Sequence, residues 1–234
     1  MASDLIITKH NEVYAKLICE RYVLKELSEY FTFYVPGHQF TPAFRNKVWD
    51  GKIRLVNLQN QTIYLGLLKY IEEFCEERAL SFTYDKTRPD LQDDYSNYHC
   101  QKFAEKLNLH SLNRPIEVRE HQAKAFVTAM QNRRTLLLSP TASGKSLIIY
   151  MLFRQFFDYQ NLKGLIVVPT TSLVEQLFSD FIDYSSQNGF NVADNVHRIY
   201  QGKDKVTDKA LTISTWQSIY KMPPEYFEKF DYII

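Results

Sequence analysis

The chain has 234 residues, a net charge of +1, and 45% hydrophobic against 24% charged side chains. That length suits one large domain or two small ones, and no apolar run approaches the ~20 residues of a membrane span. Near-neutral charge points to no particular partner for the chain as a whole, so nucleic acid would have to be met by a local patch. Met1-Ala2-Ser3-Asp4 offers no basic stretch followed by an apolar segment, so no secretory signal is expected. Cys19, Cys75 and Cys100 make no C-x-x-C pair and the histidines are scattered. Reduced thiols in the cytoplasm, and no metal site from these residues, are the expectation.

Residues 1–90 read as a small α/β module. Ile6-Ile7 and residues 13–18 predict two strands, and Leu24, Leu27 and Phe31 form the stripe of a helix. Pro36-Gly37 and Thr41-Pro42 break the chain. Residues 53–56 and 62–65 flank a polar turn and predict a hairpin. Leu67, Tyr70, Ile71 and Phe74 then recur at helical spacing, with Glu72, Glu73, Glu76 and Glu77 on a solvated opposite face. Within this module Arg45, Lys47, Lys52 and Arg54 surround Trp49, with Asp50 the one acidic residue among them. Cations interleaved with an aromatic suit phosphate contacts together with base stacking or a wedge. The plainer reading puts Trp49 in the core and makes Asp50-Gly51 a turn, leaving several of the cations to face nucleic acid.

From residue 85 to 97 the sequence turns polar, which marks the boundary with a second domain, residues 91–234. Cys100, Phe103, Ala104 and Leu107 make one helical stripe, and Ala123, Phe126, Val127 and Met130 another. After Pro115 helix and strand alternate, predicting a parallel sheet covered on both faces. The run Thr135-Leu136-Leu137-Leu138-Ser139-Pro140-Thr141-Ala142-Ser143-Gly144-Lys145-Ser146 reads as strand, tight loop and helix start. That is the order of a phosphate-binding loop, in which backbone N–H groups and a helix N-terminus face the phosphates. Pro140, Thr141, Ala142, Ser143 and Gly144 would cradle ATP, Lys145 reach its phosphates, and Ser146 hold Mg²⁺. The usual first glycine of the pattern is Ser139 here, implying a loop entry that an ordinary residue can adopt.

Ile148, Met151, Leu152 and Phe156 should face inward from the following helix, and Gly164-Leu165-Ile166-Val167-Val168 reads as a strand buried on both faces. Ser172 with Glu175 predicts a capping box, and Val174, Leu177, Phe178, Phe181 and Ile182 the buried side of that helix. Further strands are expected at 197–200, 211–214 and from Asp231. A P-loop NTPase needs an acidic residue at a strand end for Mg²⁺. None follows Val168 or Ser214, so the expectation is a piece that binds ATP and nucleic acid without hydrolysing ATP.

Three stretches carry a resemblance: PTASGKS at 140–146, VPTTSLVEQ at 168–176 and STWQSI at 214–219. In this order they resemble motifs I, Ia and the downstream Thr-Trp-Gln-Ser element of superfamily-two helicases. Arg119-Glu120-His121-Gln122 resembles the element whose glutamine reads adenine. With FRNKVWDGKIRL at 44–55 in a leading module, the chain is similar to phage UvsW-type helicases. The resemblance implies a RecA-like P-loop domain, incomplete here, in an ATP- and Mg²⁺-dependent motor. Such a motor remodels branched, single- or double-stranded DNA and RNA–DNA hybrids in recombination, replication and repair, in the host bacterial cytoplasm and off the membrane. It also implies that Arg119 and Gln122 serve the nucleotide and that Thr170, Thr171, Thr215 and Gln217 lie along the bound strand.

Three other readings compete. PTASGKS also resembles the phosphate loop of tRNA prenyltransferases, but there the loop lies near the N-terminus and VPTTSLVEQ has no place. A restriction-type double-stranded DNA translocase would share the motor motifs. A nucleic-acid-binding module without ATP coupling would need only residues 44–55.

Overall fold

The computed structural model describes residues 3–86, 95–132, 134–200 and 204–234. Two compact units divide the chain, 1–91 and 92–234. The polar stretch expected to separate them lies mostly outside the described residues, at 87–94.

In the first unit β1 (Leu5–Lys9) and β2 (Tyr14–Cys19) form an antiparallel pair. Helix α1 (Arg21–Tyr30) follows and buries Val23, Leu24 and Leu27. Next come β3 (Thr32–Tyr34), a 3₁₀ turn at His38–Phe40, α2 (Pro42–Arg45) and β4 (Lys52–Arg54). Then β5 (Thr62–Tyr64), α3 (Leu68–Glu77) and β6 (Phe82–Tyr84) complete the unit. The main sheet runs β5-β2-β1-β6. Alternation puts Leu5, Ile7, Ala15, Leu17 and Ile63 on one face, where they meet Leu27, Leu68, Ile71 and Phe74. Ile71 and Phe74 are buried on the inner stripe of α3 as expected, but Tyr70 is half exposed, and Leu68 and Cys75 complete the stripe in place of Leu67 and Tyr70.

The expected 53–65 hairpin does not form. β4 pairs with β3, β5 pairs with β2, and a single bridge, Asn57 to Thr62, joins the two runs. Ile63 is fully buried in the main core, whereas β4 presents Lys52-Ile53-Arg54 with no apolar face to cover. The two runs therefore serve different sheets. The Asn57 side chain, accepting from the N–H groups of Gln59 and Asn60, folds the connection between them.

The second unit opens with α4 (Asn97–Leu107) and the short ladder of β7 (His110–Ser111) with β8 (Arg114–Pro115). Helices α5 (Glu120–Gln131) and α6 (Lys145–Gln160) precede β9 (Gly164–Val168) and α7 (Thr171–Tyr184). One turn, α8 (Val192–Asn195), leads to β10 (Val196–Ile199) and β11 (Leu211–Thr215). The turns α9 (Trp216–Ile219) and α10 (Pro224–Phe227) lead to β12 (Tyr232–Ile233). The sheet runs β10-β11-β9-β12 and every pair is parallel. All five residues of β11 are buried, as a strand covered on both faces requires.

Three expectations fail here. Residues 135–138 form no strand, and Leu136 and Leu138 are 82% and 89% exposed. An apolar run becomes a strand only beside an edge that takes its N–H and C=O groups. The described β12 pairs with β9 and not with this run. The cap of α7 is Thr170, whose hydroxyl accepts from Leu173 N–H at 3.3 Å, rather than Ser172; Glu175 turns instead to Arg198. Ile182 is half exposed, because Phe178 and Phe181 already fill the inner face of that turn.

Candidate functional site

The loop before α6 takes its shape from two left-handed residues, Ala142 (φ 62°) and Gly144 (φ 79°), while Ser139 needs no such conformation. Gly144 is the N-cap of α6. Its carbonyl accepts from Leu147 and Ile148, which leaves the Lys145 and Ser146 N–H groups at the helix mouth without an intrahelical acceptor. Lys145 Nζ folds back on its own loop and donates to Ser139 O and Pro140 O, both at 2.8 Å. An ammonium carries three donors, so one remains for a phosphate.

Gln122 locks this loop to α5. It is buried; its Oε1 accepts from Arg119 N–H at 3.0 Å and its Nε2 donates to Ser143 O at 3.1 Å. The His121 ring meets the same carbonyl at 3.0 Å. A Cβ on Gly144 would lie 2.2 Å from Gln122 Nε2, so glycine is what lets amide and loop approach this closely. The Arg119 side chain, one residue before α5, stays exposed. A cavity of about 1180 Å³ borders the same loop, walled by Leu136, Leu138, Ile149 and Phe156 and by Ile233 and Ile234 of the β12 end. Its walls are mostly apolar, so only the loop rim has the chemistry for phosphates. That rim, with free helix-end amides, an ammonium and a hydroxyl, fits ATP with Mg²⁺. When bound, the metal would supply positive charge beside the phosphates, with Ser146 its one side-chain ligand from this set.

Ser146 has partners the sequence did not suggest. Its hydroxyl lies 2.9 Å from the Tyr184 hydroxyl, and Asp180 accepts from it as well. Burial raises the Asp180 pKa above the ordinary carboxylate value, with the Ser146 hydrogen bond acting against it and Asp183 adding to it. A raised folded pKa means the ionised form is disfavoured by the fold, so stability falls as pH rises through the carboxylate range. Asp180→Asn is therefore expected to melt with wild type below about pH 4 and above it at neutral pH. Thermal melts across pH check this; a gap that does not change with pH would remove burial as the cause.

Thr170 and Thr171 lie at the opposite end of α7 from Tyr184, a helix of 14 residues or roughly 20 Å. Both are exposed just after β9, whose last residue, Val168, is in register with Thr215 at the end of β11. Gln217 is exposed there too. Thr215 is buried, and its hydroxyl pairs with Ser218 at 2.8 Å, so it shapes the turn that presents Gln217. Sequence reasoning passed over the neighbours of Gln217: Trp216 and Tyr220 are both exposed with ring centroids 5.2 Å apart. Two large aromatics at helical spacing on a polar turn were the available signal.

In the first unit the expected patch stands on β3, β4 and the loop between them. Arg45 and Lys47 are exposed. Lys52 Nζ lies over the Tyr34 ring at 4.8 Å. Arg54 is held by Asp50 in an ion pair, which leaves it less charge to offer a phosphate. Trp49 belongs to no core: it is half buried, and its indole N–H donates to Lys52 O at 3.0 Å. Tyr34 stacks on His38, and His38 meets Phe44 edge-on, each at 4.8 Å. This aromatic row was not foreseen, since its members come from three separate elements.

Elsewhere, burial pushes the Cys75 and Cys100 thiols up to about 11, and all three cysteines are unpaired. Among the described residues no helix is long and apolar enough to cross a membrane.

Comparison with known proteins matches residues 4–85 to the family DNA helicase UvsW, N-terminal, and residues 119–234 to DEAD/DEAH box helicase. The chain is 32% identical over 231 residues to the ATP-dependent DNA helicase uvsW of Enterobacteria phage T4, covering 97% of this chain and 45% of that protein. It therefore spans about half the length of that relative. Over 85 residues it is 39% identical to the ATP-dependent RNA helicase ROK1 of Vanderwaltozyma polyspora, covering 35% of this chain and 15% of that protein. Two crystal structures of UvsW from bacteriophage T4 superpose with TM-scores of 0.86 and 0.85 at 32% identity. Each covers 98% of this chain, which spans 46% and 81% of the respective structures.

Proposed function

The chain belongs to the superfamily-two helicases of the UvsW type, and from that premise we propose that it supplies the substrate-recognition module and the ATP-binding loop of a DNA motor. The motor unwinds or remodels branched DNA and RNA–DNA hybrids. Its first unit grips nucleic acid through Arg45, Lys47, Trp49 and Lys52, with Arg54 secondary. Its second binds ATP with Mg²⁺ through residues 140–146 and lays the strand along Thr170, Thr171 and Gln217, with Thr215 shaping the turn that presents Gln217. Phosphate and hydroxyl contacts of this kind position a strand without reading its sequence, as a translocating motor requires.

One observation supports the reading most: Gln122 is docked on the carbonyl of Ser143 at 3.1 Å. The glutamine that would read adenine is thereby joined to the loop that would hold the phosphates. Isothermal titration with ATP and Mg²⁺ tests it. Gln122→Ala should weaken ATP about tenfold more than GTP, since the lost loop contact is common to both, and an equal loss for both would reject the adenine role.

The nucleic-acid face has its own test. Arg45→Ala and Lys47→Ala should each lower the slope of log K against log salt for duplex binding by about 0.9. Arg54→Ala should lower it less, because Asp50 already holds that guanidinium. An unchanged slope for both Arg45 and Lys47 would remove the patch from the binding surface.

A further inference from the structure

We propose that the loop between β3 and β4 is a wedge that enters nucleic acid at branch points, with Val48 as its apolar tip. The proposal rests on the reading of this unit as a nucleic-acid grip. It goes further in naming the residue that meets the branch and the way it enters.

Val48 is 82% exposed, and Phe40 on the same loop is 68% exposed. Apolar side chains at a loop tip are ordinarily mobile or drawn inward, and here the backbone prevents both. Thr41 caps α2 with Pro42 at its first position, as favoured there. The N–H groups of Val48 and Trp49 both bond to Ala43 O, at 2.9 and 3.2 Å, tying the tip back to α2. Lys47 takes a left-handed φ of 57° to make that reversal. On the descending side, the Trp49 indole bonds to Lys52 O, and Asp50 holds both Lys52 N–H and the Arg54 guanidinium. Gly51 closes the base: a Cβ there would come within 2.4 Å of the His38 ring. The tip is thus preorganised, and ordering it on binding costs little.

Charge then identifies the occupant. Arg45 and Lys47 precede the tip, Lys52 and Arg54 follow on β4, and Asp50 is the one carboxylate among them. A rigid apolar point between cations is complementary to a base step between phosphate strands, and such wedges work by unstacking bases. A branch point already has unstacked bases, so insertion there costs least. Beside the tip, a pocket of about 760 Å³ is lined by Gln39, Phe44, Arg45, Trp49 and Val48. It offers one displaced base an aromatic wall and a side-chain amide.

The test uses the whole chain and synthetic DNA with 2-aminopurine at the branch of a three-way junction, or at the middle of a linear duplex. Wild type should raise the fluorescence of the junction probe and not of the duplex probe, and should bind the junction about five- to tenfold more tightly. Val48→Ser should abolish the fluorescence rise and the preference while keeping the salt slope and the duplex affinity. Val48→Leu, apolar and larger, should keep both. An equal response from junction and duplex, or a Val48→Ser variant that still lights the junction, would overturn the wedge with the grip intact. Loss of all salt-dependent binding dependence on Arg45 and Lys47 would overturn the grip itself and hand the apolar tip to a protein partner.

Discussion

Lys145→Ala should weaken Mg²⁺-ATP binding about thirtyfold, the fold-change that corresponds to one charged hydrogen bond of roughly 2 kcal/mol. In the folded chain the ammonium bridges Ser139 O and Pro140 O, so it ties the two ends of the loop curve together as well as offering a donor outward. The variant loses both the closing bonds and the positive charge. Two measurements separate these. Titration calorimetry reads the affinity, and the melting temperature reads the fold, which should shift little because Lys145 is exposed. Lys145→Arg should not restore affinity, since a planar fork does not replace a compact ammonium at the two loop carbonyls. Nucleotide affinity equal to wild type in the alanine variant would end the assignment of this loop to phosphates. In a chain as long as the phage relative, the same substitution should abolish ATP turnover and leave duplex binding intact, because the proposed grip lies in the other unit.

What could be read in the sequence follows the range of the forces involved. Helices α4 and α5 were legible because their buried residues recur at helical spacing, and β9 because a strand covered on both faces is a continuous apolar run. The turn before α6 was legible because its parts are adjacent in the chain. Pairing was not. Lys52-Ile53-Arg54 could meet either residues 62–65 or β3, and only the buried demand of Ile63 on β2 decides it. The strand expected at 135–138 was inferred from three leucines, yet a strand also needs a neighbour, which composition does not report. Ser146 was given Mg²⁺ from its place in the motif; its hydrogen bond to Tyr184, 38 residues on, is a fact of packing. The wedge was half legible. Aromatic and basic residues around Trp49 announced a patch, but the exposure of Val48 depends on backbone bonds to Ala43 that no local pattern encodes.

Gly164→Ala should destabilise the second unit by about 2–3 kcal/mol, as overpacking of a filled core does. Gly164 opens β9 opposite Tyr232 of β12, and its backbone is ordinary extended strand, so alanine meets no conformational strain there. The cost is steric. An added Cβ would lie 2.2 Å from Tyr232 Cζ and 2.3 Å from its hydroxyl. That ring is rigid and cannot swing away, since Phe156 packs against it with centroids 4.5 Å apart. Its hydroxyl is buried with no hydrogen-bond partner among the described residues, and burial holds its pKa far above the ordinary phenol value. A tyrosine kept under such conditions is held by shape, with the glycine as its socket. The consequence is a coupling of definite sign. Tyr232→Ala alone should cost about 3–5 kcal/mol by leaving a cavity. Added to Gly164→Ala it should cost 1–2 kcal/mol less than the two single values together, because the new methyl enters the space the ring vacates. In a Trp49→Phe background the remaining tryptophan, Trp216, lies in the second unit and reports its urea unfolding. Strictly additive costs would mean that β12 is not seated on β9 through this socket. The wall that β12 gives to the cavity beside the phosphate loop would then need another anchor.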